Sequence, residues 1–187
     1  MAELPLEPNY GKAVIISKQY NCFDEMLSIV SMFSSENIFL FPKGKREQVA
    51  IARNRYMAIE GDHLTLLNVY EAYCEAKDKK KFCIENFLHF RSMNKVDKVR
   101  EQLVQYTGNL FGASLEAAQV KTRNREAELA ENILKCLTHA FILQIACLQD
   151  DGKYKTIREN KEAFIHPTSC LFGKKKPKYV IYNEMVS

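Results

Sequence analysis

Apolar residues recur at the spacing of a buried helix face, i, i+3, i+4 and i+7, in two stretches of the chain. These residues are Met26, Ile29, Val30 and Phe33, followed by Leu66, Val69, Tyr70 and Tyr73. That period predicts two amphipathic helices. Between them, the segment "KREQVAIARNRYMAI" (45–59) repeats the pattern with more basic residues and predicts a third helix.

Two further helices are predicted downstream of these. Asn94 fits the cap of one, with Asp97 three residues later in a variant of the capping box, and the glycines of "TGNLFGAS" would end it. A last, long helix is predicted over 124–148. It is polar at first and nearly all apolar from Ile133 onwards, as expected for a helix that is buried on most sides.

The pattern changes from helical to strand-like at Gln149. A turn at Asp151-Gly152 is followed by short strand patterns in 153–157 and 162–167. A run of β-branched and aromatic residues over 178–186 predicts a third strand. The patterning therefore predicts a mainly α protein, in which a helical bundle is followed by an unfinished β segment.

The segment "FCIENFLHFRSM" (82–93) predicts another helix, with an apolar stripe through Ile84, Phe87 and Leu88. The next position on this face is Arg91. A cation that continues an apolar face needs a partner or a role. Two interpretations stay open: Arg91 snorkels at the edge of the core or pairs with a carboxylate, or it faces a phosphate or a cleft between domains.

Asp62-His63 follows a glycine and raises the question of a catalytic or metal site. No nucleophile or further ligand stands nearby in the sequence. Asp62 is well placed as the N-cap of the helix that follows, where its carboxylate would accept from backbone N–H groups and suit the helix dipole. We therefore interpret Asp62 as a cap and His63 as the first helical residue.

Composition and charge fit a globular protein. The chain has 187 residues, 47% hydrophobic, with a net charge of +4. It has no apolar run of the roughly 18 residues that a membrane span needs, and its start does not resemble a signal peptide. Six cysteines without a C-x-x-C pair predict free thiols and no structural zinc. The basic clusters at 77–81 and 173–178 are interpreted first as solvated loops, although they permit nucleic-acid binding.

The common catalytic and nucleotide-binding motifs are missing from the sequence. No G-x-x-x-x-G-K-[ST] loop, G-x-G-x-x-G, H-E-x-x-H or G-x-S-x-G occurs. The residues alone therefore predict a helical interaction module with a β appendage, and no reaction centre.

Several motifs, in order along the chain, resemble the C-terminal region of the DEAH-box RNA helicases, most closely the pre-mRNA-splicing members. "EGDHLTLLNVYEAY" (60–73) and "ENFLHFRSMNKVDKVREQL" (85–103) resemble the helicase-associated region. "LPLEP" with "GKAVIIS" resembles the end of the winged-helix domain, and "FIHPTSCLF" and "YVIYNEMV" resemble the opening strands of an OB-fold. The connecting segment 107–125 matches little.

The resemblance implies three parts. Residues 1–20 would be the end of a winged-helix-like segment, 21–148 a helical helicase-associated (ratchet) domain, and 149–187 an incomplete OB-fold-like β segment. The implied fold class is mainly α: a ratchet-like helical bundle followed by a partial OB-fold.

The resemblance also implies a function. The chain would be a piece of a nuclear, ATP-dependent RNA helicase of pre-mRNA splicing, and would form part of its channel for single-stranded RNA. ATP and Mg²⁺ would act in ATPase lobes outside the fragment. Within the chain, no catalytic residue, metal site or cofactor is expected, and no membrane partner.

A channel that follows single strands needs cations and hydroxyl donors against phosphates, with few base-specific contacts. OB-folds bind strands across such a face. The predicted RNA-contacting residues are Arg91, Asn86, Lys153, His166, Thr168, Ser169 and Lys174.

A protein-interaction function is the alternative. In this interpretation the chain docks spliceosomal or activator proteins without direct RNA contact, through its basic loops and the 107–125 segment. An independent enzyme is a third possibility, for which the sequence supplies no reaction centre.

Overall fold

The computed structural model describes residues 6–35, 37–111 and 123–185. This part of the chain contains seven helices followed by a small antiparallel sheet. The elements are α1 (Pro8–Ser17), α2 (Phe23–Phe33), α3 (Arg46–Asn54), α4 (Asp62–Glu75), α5 (Lys79–Glu85), α6 (Phe90–Phe111), α7 (Arg123–Ala140), β1 (Ile145–Leu148), β2 (Tyr154–Thr156), β3 (Glu162–Ala163) and β4 (Tyr179–Ile181). The predicted mainly α fold with a β segment after the helical bundle is confirmed. The segment 107–125 lies largely outside the described residues.

Helix α2 is the centre of the bundle. Every residue from Met26 to Met32 is buried, because α2 packs against α1, α4 and α6. Two serines in this buried stretch satisfy their hydroxyls locally: Ser28 Oγ donates to the Asp24 carbonyl, and Ser31 Oγ to the Leu27 carbonyl. The polar atoms therefore add little cost to a helix whose burial stabilises the fold by roughly 1.5–3 kcal/mol per large apolar side chain.

Asp97 of α6 joins α4 and α5 to α6 beside a second apolar cluster. Its carboxylate accepts hydrogen bonds from the Tyr70 hydroxyl at 3.0 Å and the Tyr73 hydroxyl at 3.1 Å. The ammonium of Lys79 lies 3.0 Å from the same carboxylate. The basic run 77–81 is therefore not simply a solvated loop, since Lys79 begins α5.

The helix predicted to start at Asn94 begins earlier. Helix α6 runs from Phe90 through Asn94 and Gly108 to Phe111 without a break. The prediction of Asn94 as a cap was wrong, because no helix begins there. Asp97, expected to complete the capping box, bonds residues of α4 and α5 instead. Of the two glycines expected to end the helix, Gly108 lies inside it and Gly112 lies outside the described residues.

The single helix predicted over 82–93 is also wrong, because the chain turns sharply between α5 and α6. Phe87 adopts the left-handed region at φ 53°. The Leu88 amide donates to the Cys83 carbonyl at 2.8 Å, and the Phe87 amide to the Ile84 carbonyl at 3.4 Å. This pair of bonds is the Schellman pattern that ends a helix. As a result Ile84 is 67% exposed, and the predicted apolar stripe that continued to Arg91 does not form.

The long helix predicted to reach Leu148 ends at Ala140, and Ile145–Leu148 is strand β1. A continuous apolar run does not distinguish a buried helix from a buried strand by its period. Here β1 is central in the sheet, whose order is β3-β2-β1-β4. Ala146 lies opposite both Thr156 of β2 and Val180 of β4, so the backbone of the apolar run is paired on both edges, although only Ala146 is fully buried.

The sheet is attached to α1 by polar contacts. The Tyr10 hydroxyl donates to the Asn183 side-chain oxygen at 3.0 Å, and the Gln144 side chain bonds both Asn9 and the Asn183 carbonyl. Ile181 of β4 packs against the main apolar cluster of the bundle. The helices and the sheet therefore share one core.

Candidate nucleic-acid interface

Asp62 connects the helical bundle to the segment that follows β3. Its carboxylate accepts from the Ser169 hydroxyl at 2.6 Å and from the Cys170 backbone amide at 2.8 Å. It is the first residue of α4, and the cap position belongs to Gly61 at φ 138°, which makes no side-chain hydrogen bond. The prediction of Asp62 as N-cap was therefore wrong, because its acceptor atoms are taken by a distant part of the chain.

His63 packs inside the bundle. Its ring stacks on Phe33 with 4.4 Å between centroids, and its buried Nε2 has no hydrogen-bond partner among the described residues. Burial lowers the pKa of His63 to about 4, against the opposing effect of Asp62, so the ring is neutral at physiological pH. In the described part of the chain no three His, Cys, Asp or Glu side chains are grouped to hold a metal ion. Asp62-His63 is therefore a structural pair.

Arg91 is exposed in the first turn of α6 and lines a shallow depression of about 370 Å³. The lining residues are Ser35, Asn37, His89, Arg91, Ser92 and Lys95. His89 lies directly before the helix, and its Nδ1 accepts from the Ser92 amide at 3.3 Å, which is the bond of an N-cap. Two cations and the positive end of a helix dipole thus meet at one surface, which suits an anion. We call this depression the Arg91 pocket.

An extended segment, 37–41, leads away from the Arg91 pocket. It runs antiparallel to 87–89: the His89 amide donates to the Ile38 carbonyl at 2.8 Å, and the Leu40 amide to the Phe87 carbonyl at 2.8 Å. Phe39 and Leu88 form the β-bridge between the two runs. Both ends of this segment are therefore fixed relative to α6.

At the far end of the segment lies Arg53 of α3. Its guanidinium carbon is 4.5 Å from the Phe39 ring centroid and 5.6 Å from that of Phe41. The same group donates to the Thr168 carbonyl at 3.0 Å. Burial lowers the pKa of Arg53, while the charges of Asp62 and Cys170 raise it, and a guanidinium stays protonated in proteins. Arg53 thus joins the bundle to the loop 166–169.

The loop 166–169 carries three of the predicted RNA contacts. His166 and Thr168 are exposed, and their side chains bond each other, with 2.7 Å between Nδ1 and Oγ1. Ser169 uses its hydroxyl on Asp62 and is only partly exposed. A chain of contacts through 37–41 and Arg53 therefore links the Arg91 pocket to this loop. We call the exposed residues along this route the 37–41 surface.

The other predicted contacts lie elsewhere or are occupied. Asn86 is buried; it accepts from the Tyr56 hydroxyl at 3.1 Å and donates to the Phe82 carbonyl at 2.9 Å. Lys153 pairs with Glu162 at 2.9 Å. Lys174 is exposed in the 173–178 loop. That Asn86, Lys153 and Lys174 contact RNA stays a prediction. The burial of Asn86 argues against a contact between Asn86 and RNA.

Sequence reasoning missed Arg53 and Phe41. Arg53 stood out only as one of several basic residues in a predicted helix, and Phe41 as part of a break between helices. Their meeting depends on the turn at Phe87, which no glycine marks. The one available signal was an aromatic residue, Phe41, followed by Lys43 and Lys45 in the break between two predicted helices.

Two family models match separate parts of the chain. The helicase associated domain (HA2), ratchet-like, matches residues 7–66, and the oligonucleotide/oligosaccharide-binding (OB)-fold matches residues 133–187. The first match begins inside the 1–20 segment predicted to end a winged-helix domain. The second begins within α7, so that α7 leads into the OB-fold match.

Three curated relatives that match the chain are named as ATP-dependent or probable ATP-dependent RNA helicases. The chain is 35% identical over 186 residues to a probable ATP-dependent RNA helicase DHX35 of Pongo abelii and to an ATP-dependent RNA helicase DHX33 of Drosophila melanogaster. It is 34% identical to the probable ATP-dependent RNA helicase DHX35 of Homo sapiens. Each comparison covers 100% of this chain and 25% of the relative, so the chain spans about a quarter of their length.

Taken with the fold, these matches support the C-terminal region of a DEAH-box helicase: a ratchet-like helical segment followed by an OB-fold segment. Both the OB-fold and the helicase relatives suggest nucleic-acid binding. Among the helices that the structure describes, none has the length and hydropathy of a membrane span.

Proposed function

We propose that this chain forms part of the single-stranded RNA channel of a nuclear, ATP-dependent DEAH-box RNA helicase that acts in pre-mRNA splicing. The observation that carries the proposal is the 37–41 surface. It links the Arg91 pocket of the helical bundle to the 166–169 loop of the β segment through successive contacts, although the two lie far apart in the sequence.

The chemistry of this surface suits a single strand. The Arg91 pocket offers Arg91 and Lys95 as cations to phosphate, and the loop offers the exposed imidazole of His166. Phosphate contacts supply sequence-independent affinity, and an exposed aromatic such as Phe41 accepts any base. A channel through which a strand moves needs such contacts, which do not depend on the base sequence.

ATP and Mg²⁺ act, in this proposal, in lobes that the relatives' greater length can accommodate. The chain itself has no glycine-rich loop to cradle phosphates, so no nucleotide or metal step is assigned to its residues. Its own contribution is to bind and position the strand.

The experiment that tests the proposal is fluorescence anisotropy of a labelled single-stranded RNA, titrated with salt. Arg91→Ala should weaken binding several-fold and reduce the slope of log K against log salt by about 0.7, the value for one lost phosphate contact. Lys77→Ala removes the same charge from the exposed α4–α5 connection, and should leave the slope nearly unchanged. If the two variants behave alike, Arg91 has no special place in RNA binding.

A separate observation favours docking of spliceosomal or activator proteins as a second function. Ile59 is 80% exposed and Ile84 67% exposed, and neither belongs to the 37–41 surface. Recovery of protein partners from nuclear extract after ribonuclease treatment, and its loss with Ile84→Asp, would support docking. Recovery that disappears with the RNA would contradict it.

A further inference from the structure

Phe41 is a large aromatic side chain held in an exposed position. It is 60% exposed, yet the backbone leading to it is fixed by the bonds of Ile38 and Leu40 to the 87–89 run. A mobile loop would let such a ring fold back onto the protein. Here the fixed backbone keeps the ring at the surface.

The ring also has a partner that orients it. The Arg53 guanidinium lies 5.6 Å from the Phe41 centroid, and is itself tied to Phe39 and to the Thr168 carbonyl. Cation–π contacts of this kind fix an aromatic plane at modest energy. A plane ordered before binding loses less entropy when a ligand stacks on it.

The surroundings of Phe41 are cationic. Lys43, Lys45 and Arg46 follow it and are all exposed. An apolar protein partner that covered the ring would have to desolvate or neutralise these charges. A polyanion with flat apolar groups matches both features, and single-stranded nucleic acid is such a polymer.

We propose that Phe41 is a stacking residue for a nucleobase of single-stranded RNA, on the strand whose phosphate lies in the Arg91 pocket. Residues 38 to 41 span roughly 10 Å at about 3.3 Å per extended residue, so the two contacts fall on nearby nucleotides of one strand. The inference rests on the proposed function and adds a base contact to its phosphate contact.

The test compares two RNAs of about 12 nucleotides, within the site size of a single-strand-binding module. One is an ordinary oligomer with 2-aminopurine in place of single adenines, and the other has abasic riboses throughout its centre. Both keep every phosphate, but only the first can stack. Binding is followed by anisotropy, and stacking by the quenching of 2-aminopurine fluorescence.

Three variants of Phe41 separate the possible roles of the ring. Phe41→Ala removes it, Phe41→Leu keeps an apolar side chain without a π face, and Phe41→Tyr keeps the π face. Ile84→Ala, at another exposed apolar position, is the matched control. Thermal unfolding of each variant shows that it is folded.

The expected result is a loss of about five-fold or more in affinity for the base-bearing RNA with Phe41→Ala and Phe41→Leu, together with loss of quenching. Phe41→Tyr and Ile84→Ala should bind as the parent does, and the abasic RNA should not distinguish any variant. Equal weakening of both RNAs by Phe41→Ala, or no weakening of either, would overturn the stacking role. In the second case, a continuing effect of Arg91→Ala would leave the proposed function intact, whereas no binding by any folded variant would overturn both.

Discussion

The Asp62 carboxylate lies 2.6 Å from the Ser169 hydroxyl and 2.8 Å from the Cys170 amide. These contacts join the first turn of α4 to the loop that follows the β2–β3 hairpin. Arg53 adds a second link, to Thr168. The position of the 166–169 loop relative to the helical bundle therefore depends on two charged side chains.

Removing the Asp62 carboxylate should destabilise this junction. Asp62→Ala leaves the Cys170 amide and the Ser169 hydroxyl without their acceptor, at a cost of about 1–3 kcal/mol. Ser169→Ala removes the hydroxyl bond to Asp62 and the long bond from the Leu171 amide, but keeps the Cys170 amide bond to the charged carboxylate, so it should cost less. Urea unfolding of the two variants measures the difference, and equal costs would show that the amide bond contributes nothing.

The Asp97 carboxylate should contribute more to the free energy of unfolding than the Asp62 carboxylate does. Asp97→Ala leaves two tyrosine hydroxyls and the Lys79 ammonium without their common acceptor, and we expect a loss of about 2–3 kcal/mol. The control is Asp78→Ala, which removes only the N-cap of α5, for about 1 kcal/mol. Chemical unfolding compares them; a smaller loss for Asp97→Ala than for Asp78→Ala would contradict the network.

His63 should make the protein less stable in acid. Burial lowers its pKa in the folded state to about 4, below the ordinary value of about 6.5. The unfolded chain therefore binds the proton first, and stability falls as the pH drops from about 6.5 towards 4, by up to about 3 kcal/mol. His63→Phe, which keeps a ring against Phe33, should remove this part of the pH dependence. The same dependence in both proteins, measured by urea unfolding between pH 7 and pH 4, would show that His63 is not the group responsible.

The cysteines should differ in reactivity. Cys74 is exposed, whereas Cys22, Cys83 and Cys136 are buried. Burial raises the pKa of the Cys83 thiol to about 11 and also raises those of Cys22 and Cys136, so little thiolate is present at neutral pH. Brief alkylation of the native protein, mapped by mass spectrometry, should modify Cys74 first. Equal labelling of Cys22 would contradict the packing, in which its sulfur lies 3.5 Å from that of Cys136.

The sequence predicts the elements whose signal is local. The helical period locates α2 and α4 closely, because each carries a whole apolar face, and β-branched residues locate β4. The turn at Phe87 escapes prediction, since a left-handed residue at a helix end is usually glycine. Strand β1 escapes because its extended conformation depends on pairing with β2 and β4, which the apolar run itself does not show.

The candidate site was predictable in its parts and not in its arrangement. The sequence offered Arg91 and the loop 166–169 as candidates, which stay predictions, but the reason given for Arg91, an apolar stripe, does not hold. Asp62 has the local features of a cap, yet its acceptors serve a loop far along the chain. Contacts of this kind depend on the tertiary fold, so no spacing in the sequence reveals them.

The central claim is that a single strand follows the 37–41 surface from the Arg91 pocket to the 166–169 loop. The most direct measurement is photocrosslinking of a 4-thiouridine RNA to the protein, with the modified peptides identified by mass spectrometry. The account predicts crosslinks in 37–41, in 89–95 and in 166–169. Crosslinks confined to other segments, such as the basic run 77–81, would contradict it.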